Sequence, residues 1–517
     1  MTLASILQDR TSKSILTSGQ NKRAFQNFPV PIIFPVAMDD HSRVQSQYQR
    51  PVGIIRETHE VTVVIVPLPA QGHLNQLLHL SRLISSYDIP VHYVGTASHI
   101  HQAKVRVHGW DPLAISNIHF HEFSIPSYET PPPDPNAPTK FPTQLIPVFN
   151  TSIKLREPVY ALLQQLSGTT RRLVVTYDSL MAYVIQDVGL IPNAESYCFL
   201  GASAFTIYSF VWEQEGKPEL SEPELQEPLQ DLPTWESCFP QQMADFAKLQ
   251  QDFKPISSGY LFNTCRAIEG PYLDLHVKSR LTDSDKQWAI GPFNPVEIDG
   301  QKNSETRHYC LDWLDKQAPN SVIFISFGST TSVADEEAKE IATGLDKSGQ
   351  KFIWVLRDAD KGDVFQGEDR RAQLPEGFEE RIEGRGIVVR DWAPQLEILG
   401  HSSTGGFMSH CGWNSCIESI SMGVPVAAWP MHSDQPRNAI LLEKVLKIGL
   451  IIRDWSKQNE LVTSITVENA VRRLMDSAEG EEMRQRAREL SKAVKGSVME
   501  GGLSRLEMDS FIAHIRR

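Results

Sequence analysis

Two apolar stretches constrain the fold of this chain more than any other feature. They are Val61-Thr62-Val63-Val64-Ile65-Val66 and Val322-Ile323-Phe324-Ile325-Ser326-Phe327, both rich in β-branched residues. A half-exposed strand alternates apolar and polar residues, whereas a continuous apolar run is typical of a strand buried on both faces of a parallel sheet. Because parallel strands need long crossover connections, each stretch predicts an α/β block.

The residues around both stretches have the pattern that such crossovers require. After the first stretch, leucine and isoleucine recur at helical spacing over residues 74–84, and residues 334–345 follow the second stretch as a predicted helix. Further strands are predicted at 90–94, 173–177, 352–355, 387–389 and 426–429. The alternation of strand and helix predicts right-handed crossovers and two doubly wound, Rossmann-like domains, with ligands at the carboxyl ends of the strands.

Segments of other composition flank and separate the two blocks. Residues 215–233 and 292–306 are rich in proline and glutamate or other polar residues, which suits a surface excursion and an interdomain linker. Residues 1–57 are polar and interrupted by prolines, and we expect a poorly ordered leader there. The part before Met38 weakly resembles an organelle transit segment, although translation from Met38 is the simpler interpretation.

Charge and cysteine content exclude several classes of protein. The chain has 517 residues, 50 basic and 63 acidic, for a formal net charge of −13. Without a concentrated basic run, such a chain does not suit nucleic acid or an anionic membrane, and no apolar stretch approaches the roughly 18–20 residues of a membrane span. The six cysteines are scattered, which indicates a reducing compartment and a cytoplasmic location.

Two common nucleotide motifs are absent. The nearest approach to G-x-G-x-x-G, at 384–386, lacks the third glycine, and the segment 344–351 has Gln350 where a P-loop needs lysine. Nicotinamide chemistry and P-loop phosphoryl transfer are therefore disfavoured. Two D-x-D triplets, at 283–285 and 358–360, fall in polar loops that we expect to be solvated, so no metal site is predicted.

The segment from Trp392 to Gln435 predicts an anion site. Phe407 lies near the end of a short apolar strand, Ser415-x-x-Glu418 is a capping-box pattern that starts a helix, and Gly423 stops that helix. The turn at 412–415 then presents free backbone N–H groups, which a pyrophosphate fits. Each of these side chains could instead serve packing or capping alone.

Taken together, these 44 residues resemble the donor-binding box of plant family-1 UDP-glycosyltransferases, from Trp392-Ala393-Pro394-Gln395 through His410-Cys411-Gly412-Trp413-Asn414-Ser415 to Asp434-Gln435. The resemblance extends over about residues 58–517. It implies a GT-B fold: an acceptor-binding domain at 58–290, a UDP-sugar-binding domain at 291–495, and a last helix at about 496–517 that packs back on the first domain.

The resemblance also implies roles for matching positions. The predicted donor contacts are Trp392 and Ala393 with uracil, Gln395 and Glu418 with the ribose, Ser329, His410, Asn414 and Ser415 with the phosphates, and Trp413, Asp434 and Gln435 with the sugar. A terminal glutamine in this box is usually associated with glucose donors. The UDP-sugar is a co-substrate, and no separate cofactor is expected.

His73 and Asp178 are the predicted catalytic pair. His73 lies in the predicted loop after the first strand and Asp178 ends the strand at 173–177, so both fall at carboxyl ends of parallel strands. Both match the family's catalytic histidine and its aspartate partner. A neutral imidazole can take the proton of an acceptor hydroxyl, and a carboxylate on its other nitrogen fixes the tautomer. A UDP-sugar-binding protein without activity would lack this pair. The resemblance implies direct displacement with inversion and without metal.

The acceptor is predicted from a narrower resemblance. Residues 67–84, 178–181 and 402–410 resemble the zeatin O-glucosyltransferase and O-xylosyltransferase subgroup, which glycosylates a cytokinin side-chain hydroxyl. A flavonoid or other phenolic acceptor, and xylose in place of glucose, are the alternatives. We expect a monomer whose partners are the UDP-sugar and the small lipophilic acceptor.

Overall fold

The computed structural model of the protein describes residues 59–107, 109–252, 257–278, 286–298, 307–365 and 370–517. The predicted leader at 1–57, with Met38, and the triplet at 283–285 lie outside the described residues.

The first half of the described chain builds a seven-stranded parallel sheet in the order β3-β2-β1-β4-β5-β6-β7. Its strands are β1 His59–Val66, β2 Val91–Gly95, β3 Ile118–Glu122, β4 Thr170–Asp178, β5 Ala194–Leu200, β6 Tyr260–Phe262 and β7 Gln287–Ala289. The order reverses direction between β1 and β4. At such a point the connections leave in opposite directions and open a crevice above the strand ends.

The second half builds a six-stranded parallel sheet in the order β10-β9-β8-β11-β12-β13. Its strands are β8 Val322–Ser326, β9 Lys351–Val355, β10 Gly386–Val389, β11 Thr404–Ser409, β12 Val426–Ala428 and β13 Gly449–Ile451. Here the order reverses between β8 and β11. The chain therefore has the two Rossmann-like sheets of a GT-B fold.

Helices connect the strands of both sheets. In the first half they are α1 Gln71–Ser85, α2 Ala97–Arg106, α3 Ile146–Ser152, α4 Arg156–Ser167, α5 Ala204–Gln214, α6 Pro223–Gln230, α7 Trp235–Cys238, α8 Gln241–Asp252 and α9 Arg266–Lys278, which is kinked at Glu269. In the second half they are α10 Tyr309–Leu314, α11 Asp335–Ser348, α12 Phe378–Arg381, α13 Gln395–Gly400, α14 Trp413–Met422, α15 Gln435–Ile440, α16 Ser464–Asp476, α17 Ala478–Val498 and α18 Leu503–Arg516. In the part of the chain that is described, no helix combines the length and apolar character needed to cross a bilayer.

Both faces of the first sheet are covered. Val63 and Ile65 pack into one apolar cluster with α1 and α18, while Val64 and Val66 pack into a second cluster on the opposite face. Side chains alternate between the two faces of a strand, so a strand buried on both sides must be apolar at every position. This is the physical reason for the uninterrupted run at 61–66.

The last helix, α18, lies against the first sheet although it ends the chain. Phe511 is fully buried, and its ring centroid lies 5.3 Å from those of Tyr197 and Trp288. Ser504 Oγ donates a hydrogen bond to the Gly291 carbonyl oxygen at 2.8 Å. Helix α18 thus contributes to the apolar core on one face of the first sheet.

Candidate active site

His73 and Asp178 come together at the switch point of the first sheet. His73 is the third residue of α1, rather than part of a loop as the sequence predicted, because that helix begins at Gln71, after a four-residue connection from β1. Asp178 is the last residue of β4, the neighbour of β1. His73 Nδ1 lies 2.6 Å from Asp178 Oδ2, and the other carboxylate oxygen accepts the Leu180 N–H at 3.0 Å. Asp178 is 1% exposed and His73 30% exposed.

This arrangement leaves one nitrogen of His73 for a substrate. Burial lowers the pKa of His73, but the charge and hydrogen bond of Asp178, aided by the charge of Asp434, outweigh it and raise the pKa above its ordinary value. Because Nδ1 faces Asp178, Nε2 is the atom that can accept a proton. The pair has the geometry of a general base held in one tautomer.

A helix N-terminus from the second half lies beside this pair. Helix α14 begins at Trp413, and its N-cap residue, Gly412, has no side chain to cap it. Asn414, in its first turn, donates from Nδ2 to the carbonyl oxygen of Gly72 at 2.8 Å, next to His73. The first N–H groups of a helix have no partner within the helix and carry its positive dipole end. An anion bound there would lie close to the base.

The predicted capping box at Ser415 and Glu418 is wrong. Ser415 is the third residue of α14, because Gly412 already has the extended conformation of an N-cap and the first turn starts two residues earlier. Ser415 Oγ and Glu418 Oε2 instead accept hydrogen bonds from Gln395 Nε2, at 2.9 and 2.8 Å. Gln395 begins α13, so these contacts join two helix starts into one polar group.

The carboxyl group of Glu418 is a weaker acid than an ordinary glutamate. Burial raises its pKa to about 7, although the hydrogen bond from Gln395 acts in the opposite direction. A carboxyl group with this pKa can change its charge near neutrality when a donor of hydrogen bonds approaches it. The hydroxyls of a ribose are such donors.

His410 follows β11 and packs tightly between two glycines. A Cβ at Gly328 would lie 2.5 Å from its Nε2, and one at Gly412 would lie 2.6 Å away. Burial lowers the pKa of His410 to about 4, although a hydrogen bond with the Ser326 backbone acts in the opposite direction. Its ring is therefore neutral near neutrality and lies beside the start of α14. Ser329, one residue beyond Gly328, accepts the Asp360 N–H with its backbone oxygen at 2.7 Å.

Trp392 and the buried Ala393 lie in the segment between β10 and α13. The Arg106 guanidinium carbon lies 4.6 Å from the Trp392 ring centroid, and that of Arg357 lies 5.4 Å away. Both guanidinium groups donate to Asp360 at 2.7 Å. Arg106 ends α2 in the first half, so this cluster joins the halves at the predicted uracil platform.

The triplet at 358–360 is not solvated, contrary to the prediction. Asp358 and Asp360 are both buried; Asp358 accepts a hydrogen bond from Ser332. Arg357 lies three residues before Asp360, but Arg106 lies 254 residues before it and Ser332 lies 26 residues before Asp358, so the folded chain brings these last two partners in. Among the described residues, no group of three or more His, Cys, Asp or Glu side chains is arranged to hold a metal ion.

Of the three predicted sugar contacts, Asp434 lies near enough to His73 for its charge to raise the pKa of that histidine. Trp413 Nε1 donates to the Asn263 carbonyl oxygen at 2.8 Å. Asp434 is the N-cap residue of α15, and Gln435 accepts the N–H groups of Met431 and His432 with its side-chain oxygen, at 2.9 and 3.1 Å. Of the residues predicted for catalysis or donor binding, all but Glu418 therefore lie at or just beyond a strand end or at the start of a helix, and Glu418 lies further along α14.

Comparisons with known proteins identify the family. Residues 59–295 match the family model "Glycosyltransferase, N-terminal domain", and residues 296–495 match "UDP-glucoronosyl and UDP-glucosyl transferase". The chain is 55% identical over 459 residues to zeatin O-glucosyltransferase of Phaseolus lunatus, covering 89% of this chain and 97% of that protein. It belongs to the UDP-glycosyltransferase family.

Other relatives agree with this assignment. Zeatin O-xylosyltransferase of Phaseolus vulgaris is 53% identical to this glycosyltransferase over 464 residues, which is 90% of this chain and 100% of that protein. The crystal structure of a UGT transferase from Siraitia grosvenorii in complex with UDP is similar with a TM-score of 0.66 at 27% identity, over 89% of this chain and 100% of that one.

Several residues of this glycosyltransferase's site were missed in the sequence. Arg106, Arg357 and Asp360 surround Trp392, while Asn438 contacts Asp434. Asp360 belongs to the D-x-D triplet that was expected to be solvated, and the other three belong to no local pattern with a chemical meaning. Asn438 could have been found from its spacing, because it lies four residues after Asp434 and therefore about one helical turn away from it.

Proposed function

We propose that this UDP-glycosyltransferase transfers glucose from UDP-glucose to the side-chain hydroxyl of a zeatin-type cytokinin, with inversion at the anomeric carbon. The observation that carries the mechanism is the 2.6 Å contact between His73 and Asp178, one residue away from the Gly72–Asn414 contact with the uncapped start of α14. The base and the anion site are thereby adjacent, as a transfer between a bound hydroxyl and a bound nucleotide sugar requires.

The proposed reaction is a single displacement. His73 Nε2 takes the proton of the acceptor hydroxyl while its oxygen attacks the anomeric carbon, and Asp178 stabilises the imidazolium that forms. The bond from the anomeric carbon to the β-phosphate oxygen breaks, and UDP leaves with the electron pair. The α14 N–H groups, with Asn414 and Ser415, and His410 and Ser329 nearby, would bind the phosphates without a metal ion.

We assign the remaining donor contacts to the same surface. Gln395 and the Glu418 carboxylate would bind the ribose, and Trp392 would stack on uracil beside Ala393 once Arg106 moves aside. Trp413, Asp434 and Gln435 would bind the sugar. In this proposal residues 58–290 form the acceptor-binding domain, 291–495 form the donor-binding domain, and the helix near 496–517 completes the first.

The acceptor would bind in the first half, next to His73. Leu74, the residue after His73, helps to line a narrow and largely apolar depression. The residues that line it are Pro67, Pro69, Leu74, Gly95, Thr96, His99, Ile125, Val148, Ser152 and Leu155. Burial lowers the pKa of His99 to about 4, so its ring is neutral near neutrality. Apolar walls with a few neutral polar groups suit a flat heteroaromatic acceptor. The two relatives above 50% identity are both named for zeatin.

Two further assignments complete the proposal. All six cysteines are free and buried, which is typical of a protein from a reducing compartment, and we place the enzyme in the cytoplasm. Xylose is the second candidate for the donor sugar, because the relative at 53% identity is an O-xylosyltransferase.

Two experiments test the function. First, His73→Ala should lower turnover at least about 100-fold while UDP binding survives, and near-normal turnover would remove His73 from the mechanism. Second, UDP-glucose and UDP-xylose should be tested against trans-zeatin, cis-zeatin, flavonols and simple phenols. We expect O-glucosylation of a zeatin; turnover of a flavonol without any zeatin product would contradict the cytokinin assignment and leave the transferase assignment intact.

A further inference from the structure

Asn438 is fully buried at the contact between the two halves, and its side chain uses its whole hydrogen-bonding capacity. Its Oδ1 accepts from Ser203 Oγ at 2.8 Å and from Thr206 Oγ1 at 3.0 Å. Its Nδ2 donates to the Cys411 carbonyl oxygen at 3.0 Å and to Asp434 Oδ2 at 2.8 Å. Since a carbonyl oxygen can only accept, the amide can lie in one orientation alone.

The partners of Asn438 belong to different parts of the site. Asp434 is the predicted sugar-binding carboxylate, and Cys411 lies in the turn before α14. Ser203 and Thr206 start α5 in the acceptor-binding half, where Ser203 is the N-cap residue. A single buried amide therefore joins the donor sugar site, the phosphate turn and a helix of the opposite half.

The spacing within α15 explains how Asn438 reaches Asp434. Four residues separate them, so the amide and the carboxylate lie on the same side of the helix. Burial raises the pKa of Asp434, and the hydrogen bond from Asn438 together with the charge of His73 counteracts this rise. Asn438 thus favours the charged form and one rotamer of a carboxylate that is close to the catalytic base.

The same segment of the acceptor-binding half also lies beside the base. A Cβ added at Gly201 would lie 3.4 Å from His73 Nδ1, and the Gly201 carbonyl oxygen accepts from Gln76 Nε2 at 3.1 Å. Residues 201–206 therefore lie beside His73 at one end and contact Asn438 at the other. An error of about 1 Å between nucleophile and reacting carbon can lower a rate roughly 100-fold, so this segment is placed where alignment matters most.

We propose that Asn438 is a positioning residue that orients the Asp434 carboxylate for the donor sugar and couples this orientation to Ser203 and Thr206 of the acceptor-binding half. The proposal rests on the proposed function, in which Asp434 binds the sugar. Asn438 itself contacts no reacting atom in this scheme. Its neighbour Arg437 anchors α15 independently, through Ser209 at 2.6 Å and Glu213 at 2.5 Å, so loss of the Asn438 side chain leaves the helix attached.

A double-mutant cycle of Asn438→Ala and Asp434→Ala in the full chain tests the proposal. The dissociation constants of UDP and UDP-glucose are measured by calorimetry. The kcat of each variant is measured from initial rates with zeatin as the acceptor. Asn438→Ala should weaken UDP-glucose roughly 10-fold and lower kcat about 10–100-fold, with UDP binding changed by less than about twofold. The double variant should bind UDP-glucose no more weakly than Asp434→Ala alone, because both substitutions remove the same interaction of Asp434 with the sugar.

Each other outcome is decisive. Equal weakening of UDP and UDP-glucose by Asn438→Ala, or independent losses that multiply in the double variant, would overturn the positioning role. If Asp434→Ala leaves the preference for UDP-glucose over UDP unchanged, the assignment of Asp434 in the proposed function fails instead.

A second set of variants leaves the donor-binding half untouched. Thr206→Val keeps the shape of the side chain but removes one donor to Asn438, and it should lower kcat several-fold, whereas Thr206→Ser should restore it. Thr151→Val is the matched control, because this threonine hydroxyl of the same half donates to the Pro147 carbonyl oxygen of its own helix instead of to Asn438. Equal activity of the Val and Ser variants would refute the coupling even if Asn438→Ala fails to fold.

Discussion

Replacing Asp178 by asparagine isolates the contribution of one charge. The carboxylate is 1% exposed and lies 2.6 Å from His73 Nδ1, so it meets the imidazolium across a charge-assisted hydrogen bond when His73 takes the acceptor proton. Asparagine keeps the size of the side chain and an oxygen for the Leu180 N–H. It loses the charge and can donate an amide hydrogen to Nδ1, which would fix the wrong tautomer and leave Nε2 protonated.

The expected loss follows from the role of the base. General-base catalysis contributes about 10²–10⁴ in rate, which corresponds to about 2.7–5.4 kcal/mol at 1.36 kcal/mol per factor of ten. Initial rates with saturating UDP-glucose and zeatin should show a kcat reduced within that range. Affinity for UDP should be unchanged, since Asp178 contributes nothing to the start of α14.

The pH profile gives an independent readout of the same variant. His73 works as a neutral base, so activity is lost as the pH falls through its pKa. Asp178 raises that pKa, and burial alone lowers it. The acidic limb of kcat/KM should therefore move to lower pH in Asp178→Asn. A limb that moves to higher pH, or a kcat within tenfold of the wild type, would refute the reasoning. Asp187→Asn is the control, because that carboxylate in the same half pairs with Arg156 at 2.6 Å, away from His73.

Three further predictions concern the donor site and the last helix. UDP affinity should fall as the pH drops below about 7, because protonation of Glu418 removes an acceptor for the ribose; Glu418→Gln should flatten this dependence in calorimetric titrations, and an identical profile would contradict it. Gly328→Ala should weaken UDP binding by about 1–3 kcal/mol, because φ is +78° there and the new Cβ would lie 2.5 Å from His410 Nε2; an unchanged dissociation constant would show that His410 can move freely. Phe511→Ala should lower the free energy of unfolding in urea by about 3–5 kcal/mol. Leu506→Ala, 51% exposed on the same helix, should stay within about 0.5 kcal/mol, and equal effects would disprove the packing argument.

The sequence predicted those parts of the site that depend on local order. A strand end, a histidine shortly after a strand and the 392–435 segment are each readable from neighbouring residues, although His73 was expected in the loop and lies in the first turn of α1. The same limitation explains the error at Ser415. A capping box at Ser415 and a glycine N-cap three residues earlier are both compatible with the local pattern, and Ser415 Oγ instead contacts Gln395, 20 residues away.

Contacts between the halves could not be predicted in this way. Asp360 looked like part of a solvated acidic triplet because its partner Arg106 lies 254 residues earlier in the chain. The four-residue spacing from Asp434 places Asn438 near that carboxylate, but its contact with Ser203, 235 residues away, has no signal in the sequence. A buried polar side chain takes its meaning from the groups that satisfy it, and those groups are specified only by the packing of one half on the other.

Asp360 has a consequence for how the cleft could open. A buried carboxylate that loses its only cation becomes costly by several kcal/mol. Asp360 has two cationic partners, Arg106 and Arg357, and of these only Arg106 belongs to the opposite half. A hinge motion that separates the halves would therefore leave the 2.7 Å contact between Arg357 and Asp360 in place. The same motion would carry Arg106 away from the face of Trp392. Opening the cleft and clearing the platform for a nucleobase are then one event, and added salt, which screens the Arg106 contact as it is exposed, should favour both.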